Sequence, residues 1–309
     1  MLAISVVMSV FKEPLDWIEL SINSIRNQSF SDFEFIIVND NIDDIPLKTF
    51  LSKIQNIDPR IIILENQKNL GLTKSLNKAL EISKGKYIAR MDADDISFSH
   101  RFQTQFDYLE GNPDCIVVGG QNIIIDTDGV DISKKTFPLK DYDIKNDMFY
   151  RPQFSHPTLM IKRVLPDASL WRYDEDFKFA QDYELTVQLC EHGKFKNIDK
   201  DLLKYRKSKI QIGKLRRTEQ KECANISRLR YINKNLNRVD GTNFKEDSLE
   251  YLPYLKLQLE KNNCKRMYKH ILCSSGIHLK NLNIKLKYLL ISRYKLSKTE
   301  LFYIITELR

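Results

Sequence analysis

The chain has 309 residues, 42% apolar and 29% charged, with only 10 glycines and 9 prolines, which excludes collagen-like, low-complexity and disordered chains and allows one large or two ordinary domains. Its 49 Lys and Arg outweigh 41 Asp and Glu to give a net charge of +8, but residues 204–309 hold 25 basic and 9 acidic side chains, whereas residues 1–203 hold 24 and 32. An acidic body and a basic C-terminal region therefore need separate explanations, and basicity without a recognised motif does not make a nucleic-acid binder. No apolar run approaches the ~18 residues of a membrane span. Met1-Leu2-Ala3 passes into a strand pattern with no basic n-region, so no signal peptide is expected. The five cysteines are scattered and include no C-x-x-C pair, which favours a reduced, cytoplasmic setting over a zinc site or disulfide framework.

In chain order, Ile4–Val10 reads as a buried strand, followed by a polar break at Lys12-Glu13-Pro14. A helix is expected over roughly Leu15–Arg26, where Ile18, Ile22 and Ile25 recur at helical spacing. Phe33–Val38 is a second buried strand ending on Asn39-Asp40, and Ile61–Leu64 a third, leading to the Asn69-Leu70-Gly71 turn. Thr73 is a candidate N-cap for a helix carrying Leu76, Ala79, Leu80 and Ile82. Lys86–Met91 is a fourth strand and breaks into Asp92-Ala93-Asp94-Asp95. Beyond Cys115–Ile125 the pattern loosens into loops, a strand-like His156–Ile161 and a helix from about Asp182 to Glu191; from about residue 207 the chain turns helical and basic. Strands alternating with helices mean βαβ units, a mainly parallel sheet and an α/β fold. Ligands of such sheets bind beyond the carboxyl ends of the strands, so Lys12, Glu13, Asp40, Asn69, Asp92 and Asp94 should converge on one rim.

Two carboxylates two residues apart at a strand end offer hard oxygen ligands suited to Mg²⁺ or Mn²⁺ bridging a substrate diphosphate; a solvated acidic turn is the other reading of Asp92 and Asp94. Asp40 can accept a hydrogen bond from a base or ribose, or serve as a turn former or N-cap. Asp182 opens an amphipathic helix and is either a first-turn carboxylate favoured by the helix dipole or a general base. His156 and the Trp171-Arg172-Tyr173 cluster are open between packing and sugar contact. Neither G-x-G-x-x-G nor G-x-x-x-x-G-K-[ST] follows the first strand, which argues against dinucleotide and P-loop folds.

Together, Val6–Phe11, Ile37-Val38-Asn39-Asp40, Asn69-Leu70-Gly71-Leu72 with Leu76-Asn77, Ala89–Asp95 with Arg101-Phe102, Val118-Gly119-Gly120, His156–Met160 and Gln181–Leu185 occur in the order of a known family. Over roughly residues 3–207 the chain resembles the family-two glycosyltransferases, in particular the bacterial enzymes that build exopolysaccharide, capsule and O-antigen chains. The resemblance implies a GT-A fold and an inverting transfer from a nucleotide-diphosphate sugar, usually UDP-linked, assisted by Mn²⁺ or Mg²⁺. Carried over by position, Asp40 binds the base, Asp92 the ribose and Asp94 the metal, while Asn69 and Lys74 also line the nucleotide-sugar site. Asp182 is then the base that deprotonates the acceptor, and His156 and Trp171 lie on the acceptor side. A nucleotide-sugar half over 1–98 and an acceptor half over 99–207 would form the catalytic domain. The acceptor implied is a glycan on undecaprenyl or another lipid carrier.

Two departures stand out. Gln181 replaces the usual Glu before the catalytic Asp, and Leu170-Trp171-Arg172-Tyr173 stands where a Gly-Gly-Tyr element is usual. A sugar-phosphate nucleotidyltransferase would carry a Gly-rich, Arg-containing loop after the first strand, which Phe11-Lys12-Glu13-Pro14 does not provide. A non-catalytic glycan- or nucleotide-binding module on the same fold would not need Asp92, Asp94 and Asp182 intact. The basic region 208–309 carries helical patterns at Leu282, Leu286 and Leu289 and at Leu301, Ile304, Ile305 and Leu308. It is read as either a packed appendage or a surface for an anionic inner membrane, where the enzyme would sit peripherally.

Overall fold

The computed structural model describes residues 2–148, 151–208 and 216–240. The chain divides into two compact units, Met1–Ser227 and Arg228–Arg309. The leucine patterns at 282–289 and 301–308 lie outside the described residues. Among the described residues no helix is long and apolar enough to cross a membrane.

Strand β1 (Ile4–Val10) is buried at every position, so both faces of the sheet are covered, as its run of apolar residues broken only by Ser5 and Ser9 requires. It pairs in parallel with β2 (Phe33–Asn39), in the register Val6↔Phe35 and Val10↔Asn39. β2 in turn pairs with β3 (Ile61–Glu65), and β1 with β4 (Tyr87–Arg90). The crossovers are helices α1 (Leu15–Arg26), α2 (Ile45–Ile57) and α3 (Leu72–Ile82). α1 buries Ile18, Ile22 and Ile25 on one stripe, and α2 buries Leu47, Leu51 and Ile54, all packed with β1 and β2 in one apolar core. Each such side chain contributes roughly 1.5–3 kcal/mol when fully buried.

The second half adds β5 (Ile96–Ser97), α4 (Arg101–Gly111), β6 (Cys115–Ile125), β7 (Asp131–Lys135) and α5 (Asp141–Asp147). A 3₁₀ turn (His156–Thr158), β8 (Met160–Lys162), α6 (Gln181–Leu189), β9 (Lys194–Arg206) and α7 (Arg217–Asp240) follow. The strand order is β3-β2-β1-β4-β8-β6-β9-β5, with β7 on β6. The sheet is parallel over β1–β4 and again between β6 and β9, while β8, β7 and β5 pair antiparallel.

Three local expectations are corrected. Thr73 lies inside α3 rather than capping it; the cap position belongs to Gly71 at φ +85°, a left-handed conformation that favours glycine, and the Thr73 hydroxyl donates instead to the Phe177 carbonyl at 2.9 Å. His156–Ile161 is not one strand. Pro157 sets a 3₁₀ turn, and extended pairing begins at Met160. The helix at Asp182 runs Gln181–Leu189, opening one residue earlier and closing before Glu191.

The Gly119-Gly120 pair has a packing cause. A Cβ on Gly119 would lie 2.5 Å from Asn197 Oδ1 and 2.6 Å from Phe154 Cδ1, and one on Gly120 would lie 2.4 Å from Leu202 Cδ1. Gly119→Ala should therefore destabilise the fold by about 1–3 kcal/mol in urea unfolding, and an unchanged midpoint would mean that Phe154 relaxes freely.

Candidate active site

The carboxyl ends of β1, β2 and β4 open on the same side of the sheet, and the polar residues expected at this rim separate into two groups. The first is built on Asp40, which is 2% exposed. Its Oδ1 accepts from Asn66 Nδ2 at 2.7 Å and from the Leu70 N–H at 2.8 Å, and its Oδ2 accepts from the Gly71 N–H at 2.8 Å. Asn66 also donates to Ser75 Oγ at 2.9 Å and accepts from Lys78 Nζ at 2.6 Å. Three of the roughly four acceptor positions of the Asp40 carboxylate are thus filled, two of them by the Leu70 and Gly71 N–H groups of the Asn69–Gly71 turn. Asn69 and Lys74, on that turn and in the first turn of α3, are exposed.

The second group is acidic. One carboxylate oxygen from each of Asp92, Asp94 and Asp95 falls within a sphere where all lie within 4.8 Å of one another. Asp92 is ion-paired to Arg90, and its carbonyl accepts from Ser21 Oγ at 2.8 Å. Asp95 is fully buried, accepts the Arg206 N–H at 2.7 Å on Oδ1, and leaves Oδ2 with no hydrogen-bond partner. Burial pushes its pKa well up, reinforced by the charges of Asp94 and Asp92. Arg206 closes the turn from the other side. Its Nε donates to the Asp94 carbonyl at 2.9 Å and Nη1 to the Asp126 and Thr127 carbonyls at 3.1 and 2.9 Å, with the guanidinium 4.7 Å from the Trp17 ring centre. Glu13, whose Oε2 takes the Phe11 N–H at 2.8 Å, has its pKa raised by burial and, more weakly, by Asp92.

Asp182 occupies the first turn of α6. Burial raises its pKa and Asp92 pushes the same way, against the N–H groups of Tyr183 and Asp182 and the charge of Lys135. Lys135, at the end of β7, has its ammonium 4.9 Å from the Phe137 ring centre, and desolvation followed by Arg151 lowers its pKa. Ala180, just before α6, has φ +54° and accepts the N–H groups of Tyr183 and Glu184, both at 3.1 Å. An alanine in the left-handed region is strained by about 1–2 kcal/mol, which aims the start of α6. Ala180→Gly should stay within about 1 kcal/mol of the parent in chemical unfolding, whereas the β-branched Ala180→Val should lose about 2 kcal/mol. Equal stabilities would remove the backbone argument.

His156 and Trp171 flank Tyr173. His156 Nε2 lies 2.8 Å from the Tyr173 hydroxyl, and burial, then Arg90, holds the imidazole well below its ordinary pKa and so neutral. Trp171 donates its indole N–H to the Lys162 carbonyl at 2.8 Å. Tyr173 in turn is locked to α3: its N–H donates to Asn77 Oδ1 at 2.9 Å and its carbonyl accepts from Asn77 Nδ2 at 3.0 Å. Asn77 thus ties the Tyr173 segment to the helix that begins at the Asp40 turn. Asp95, Tyr205 and Arg206 are the residues missed in the sequence. The Tyr205 phenol is held neutral by burial and by Asp95, Asp92, Asp94 and Asp182, so it lies within the field of all four acids. Their only signal in the sequence is the third Asp of the acidic run.

A sheet of this order, with its acidic turn after β4, has the GT-A fold. Solved structures agree on the fold: S. aureus TarS 1-349 with UDP-GlcNAc aligns at TM-score 0.57 and 15% identity over 89% of this chain and 82% of that one. The mannosyltransferase PcManGT of Pyrobaculum calidifontis, with GDP-Man and Mn²⁺, aligns at TM-score 0.56 and 13% identity over 98% and 83%. The chain belongs to glycosyl transferase family 2, whose sequence model matches residues 5–168. An uncharacterized glycosyltransferase of Methanocaldococcus jannaschii is 38% identical over 206 residues, 66% of this chain and 70% of that one. The O-antigen biosynthesis glycosyltransferase WbnJ of Escherichia coli is 32% identical over 209 residues (66% and 79%). The amylovoran biosynthesis glycosyltransferase AmsE of Erwinia amylovora is 29% identical over 216 residues (69% and 79%).

Proposed function

We propose that the protein transfers a sugar from a UDP-linked donor to a hydroxyl of a growing surface polysaccharide on a lipid carrier, with inversion at the anomeric carbon. The observation that carries this reading is the gathering of one carboxylate oxygen from each of Asp92, Asp94 and Asp95 within 4.8 Å of one another on the turn after β4. Asp94 and Asp95 fit a divalent cation. They are hard oxygen donors, and Asp95 Oδ2 is a buried oxygen without a partner. Mn²⁺ or Mg²⁺ held there would act as a Lewis acid towards the leaving diphosphate. Asp92 accepts a hydrogen bond from the ribose. The Asp40-held turn, with Asn69 and Lys74, lines the nucleotide, and the last acceptor position of Asp40 receives the base.

Asp182 takes the proton of the acceptor hydroxyl while that oxygen attacks the anomeric carbon; the bond from that carbon to the diphosphate oxygen breaks, and UDP leaves with the electron pair. His156 and Trp171 act through Tyr173, shaping the acceptor side. The base must be ionised, so its raised pKa moves the acidic limb of the rate profile above the ordinary Asp range. Lys135→Met removes a charge that favours the anion and should move this limb to higher pH, seen as a greater loss of kcat at acidic than at alkaline pH. A limb that stays in place removes Lys135 from the account. The basic region 208–309 is assigned to an anionic membrane face. Catalysis itself is tested by nucleotide release from UDP-glucose, UDP-galactose, their N-acetyl counterparts and GDP-mannose with a lipid-linked glycan acceptor. Release from a UDP-sugar that EDTA abolishes is expected; release from GDP-mannose alone would overturn the donor class.

A further inference from the structure

Arg90 is the last residue of β4 and its side chain is 2% exposed, whereas the Asp92 side chain it grips is 28% exposed. The arginine is the anchored partner and the aspartate the presented one. Arg90 is fixed through its backbone: its N–H donates to the Leu159 carbonyl at 2.9 Å, and its carbonyl accepts from Nη2 of the buried Arg101 at 2.8 Å. Its Nη2 donates to Asp92 Oδ1, its Nη1 reaches the Val7 carbonyl at 3.4 Å, and its buried Nε has no hydrogen-bond partner among the described residues. A buried guanidinium left this poorly satisfied costs several kcal/mol unless its charge is matched, and Asp92 is the carboxylate that contacts it.

We propose that Arg90 is a positioning residue that divides the work of the acidic turn. By matching the charge of Asp92 and occupying one of its oxygens, it leaves Asp92 as an acceptor for a neutral hydroxyl of the nucleotide. The cation is left to Asp94 and Asp95. Three carboxylates within 4.8 Å of one another would otherwise compete for the same metal. The inference rests on the nucleotide-sugar reading of the site, and its test separates the two.

Mn²⁺ binding to the full chain without nucleotide, followed by electron paramagnetic resonance, needs no knowledge of the donor. Arg90→Gln frees a third negative charge, so Mn²⁺ alone should bind about fivefold more tightly, while UDP binding in saturating Mn²⁺ weakens about tenfold because Asp92 loses its orientation. Loss of structure would weaken both. Asp92→Asn leaves the guanidinium unmatched and should weaken Mn²⁺ binding, and Arg90→Gln added to Asp92→Asn should restore it. Arg90→Lys, which keeps the charge and the fold but not the fork, should leave Mn²⁺ affinity unchanged and recover part of the UDP affinity. Weaker or unchanged Mn²⁺ binding in Arg90→Gln, with a native circular dichroism spectrum, overturns the proposal. Absence of UDP binding by the parent, with the Mn²⁺ changes as described, overturns the nucleotide reading and leaves the charge-matching role standing.

Discussion

Asp182→Asn is expected to lower kcat about a thousandfold, the middle of the range for removal of a general base, while UDP binding changes by no more than about twofold. The substitution is isosteric and keeps a hydrogen-bonding side chain in the first turn of α6, so the strained Ala180 entry and the packing of Leu185 and Leu189 are undisturbed. What is lost is the proton acceptor. Single-turnover kinetics read the chemical step, and calorimetry with UDP reads binding. Full turnover in this variant would mean that the acceptor proton goes elsewhere.

Asp94→Asn should lower kcat/KM by about a hundredfold to a thousandfold, on the order of 3–4 kcal/mol of leaving-group stabilisation. The Mn²⁺ concentration for half-maximal activity should rise as well. The fold should survive, because the Asp94 main-chain carbonyl, which the substitution keeps, accepts from Arg206 Nε and holds this turn. A variant with the same loss but unaltered metal dependence would move the cation away from Asp94. Asp95→Asn is a poorer probe of the metal, because that carboxylate is buried and accepts the Arg206 N–H, so it reports on the fold as well.

Legibility in the sequence followed how far each feature depends on near neighbours. β1 and β2 are buried at every position, and their largely apolar runs, broken only by Ser5, Ser9, Glu34 and Asn39, say so. α1 shows its stripe in Ile18, Ile22 and Ile25. α2 has equally local signals: Asp44 accepts the Leu47 N–H at 3.0 Å as an N-cap, Pro46 stands in the first turn, and Leu47, Leu51 and Ile54 recur at helical spacing. β9 was hidden for a physical reason. Its Lys and Asp residues stay exposed or half-buried while Phe195, Asn197, Leu202, Leu203 and Arg206 are buried, and no simple alternation links them. Arg206 and Tyr205 were lost with it. Thr73 looked like a cap because Ser and Thr usually cap, but its hydroxyl is drawn to Phe177, 104 positions away in the chain. The Arg90–Asp92 pair spans only two residues, yet its burial comes from β1, β8 and the 3₁₀ turn packed around it, which no local pattern contains. The acidic run was legible as a candidate site because its chemistry is local; the contact of Asp95 with the Arg206 main chain, 111 positions on, was not.

The central claim is that Asp182 activates the acceptor on the face of the sugar opposite the diphosphate held at the acidic turn. The configuration of the new linkage tests it most directly. Proton NMR of the glycan made from an α-linked UDP-sugar should show the anomeric coupling of a β-linkage; an α-linkage, formed by the intact enzyme and lost in Asp182→Asn, would contradict it.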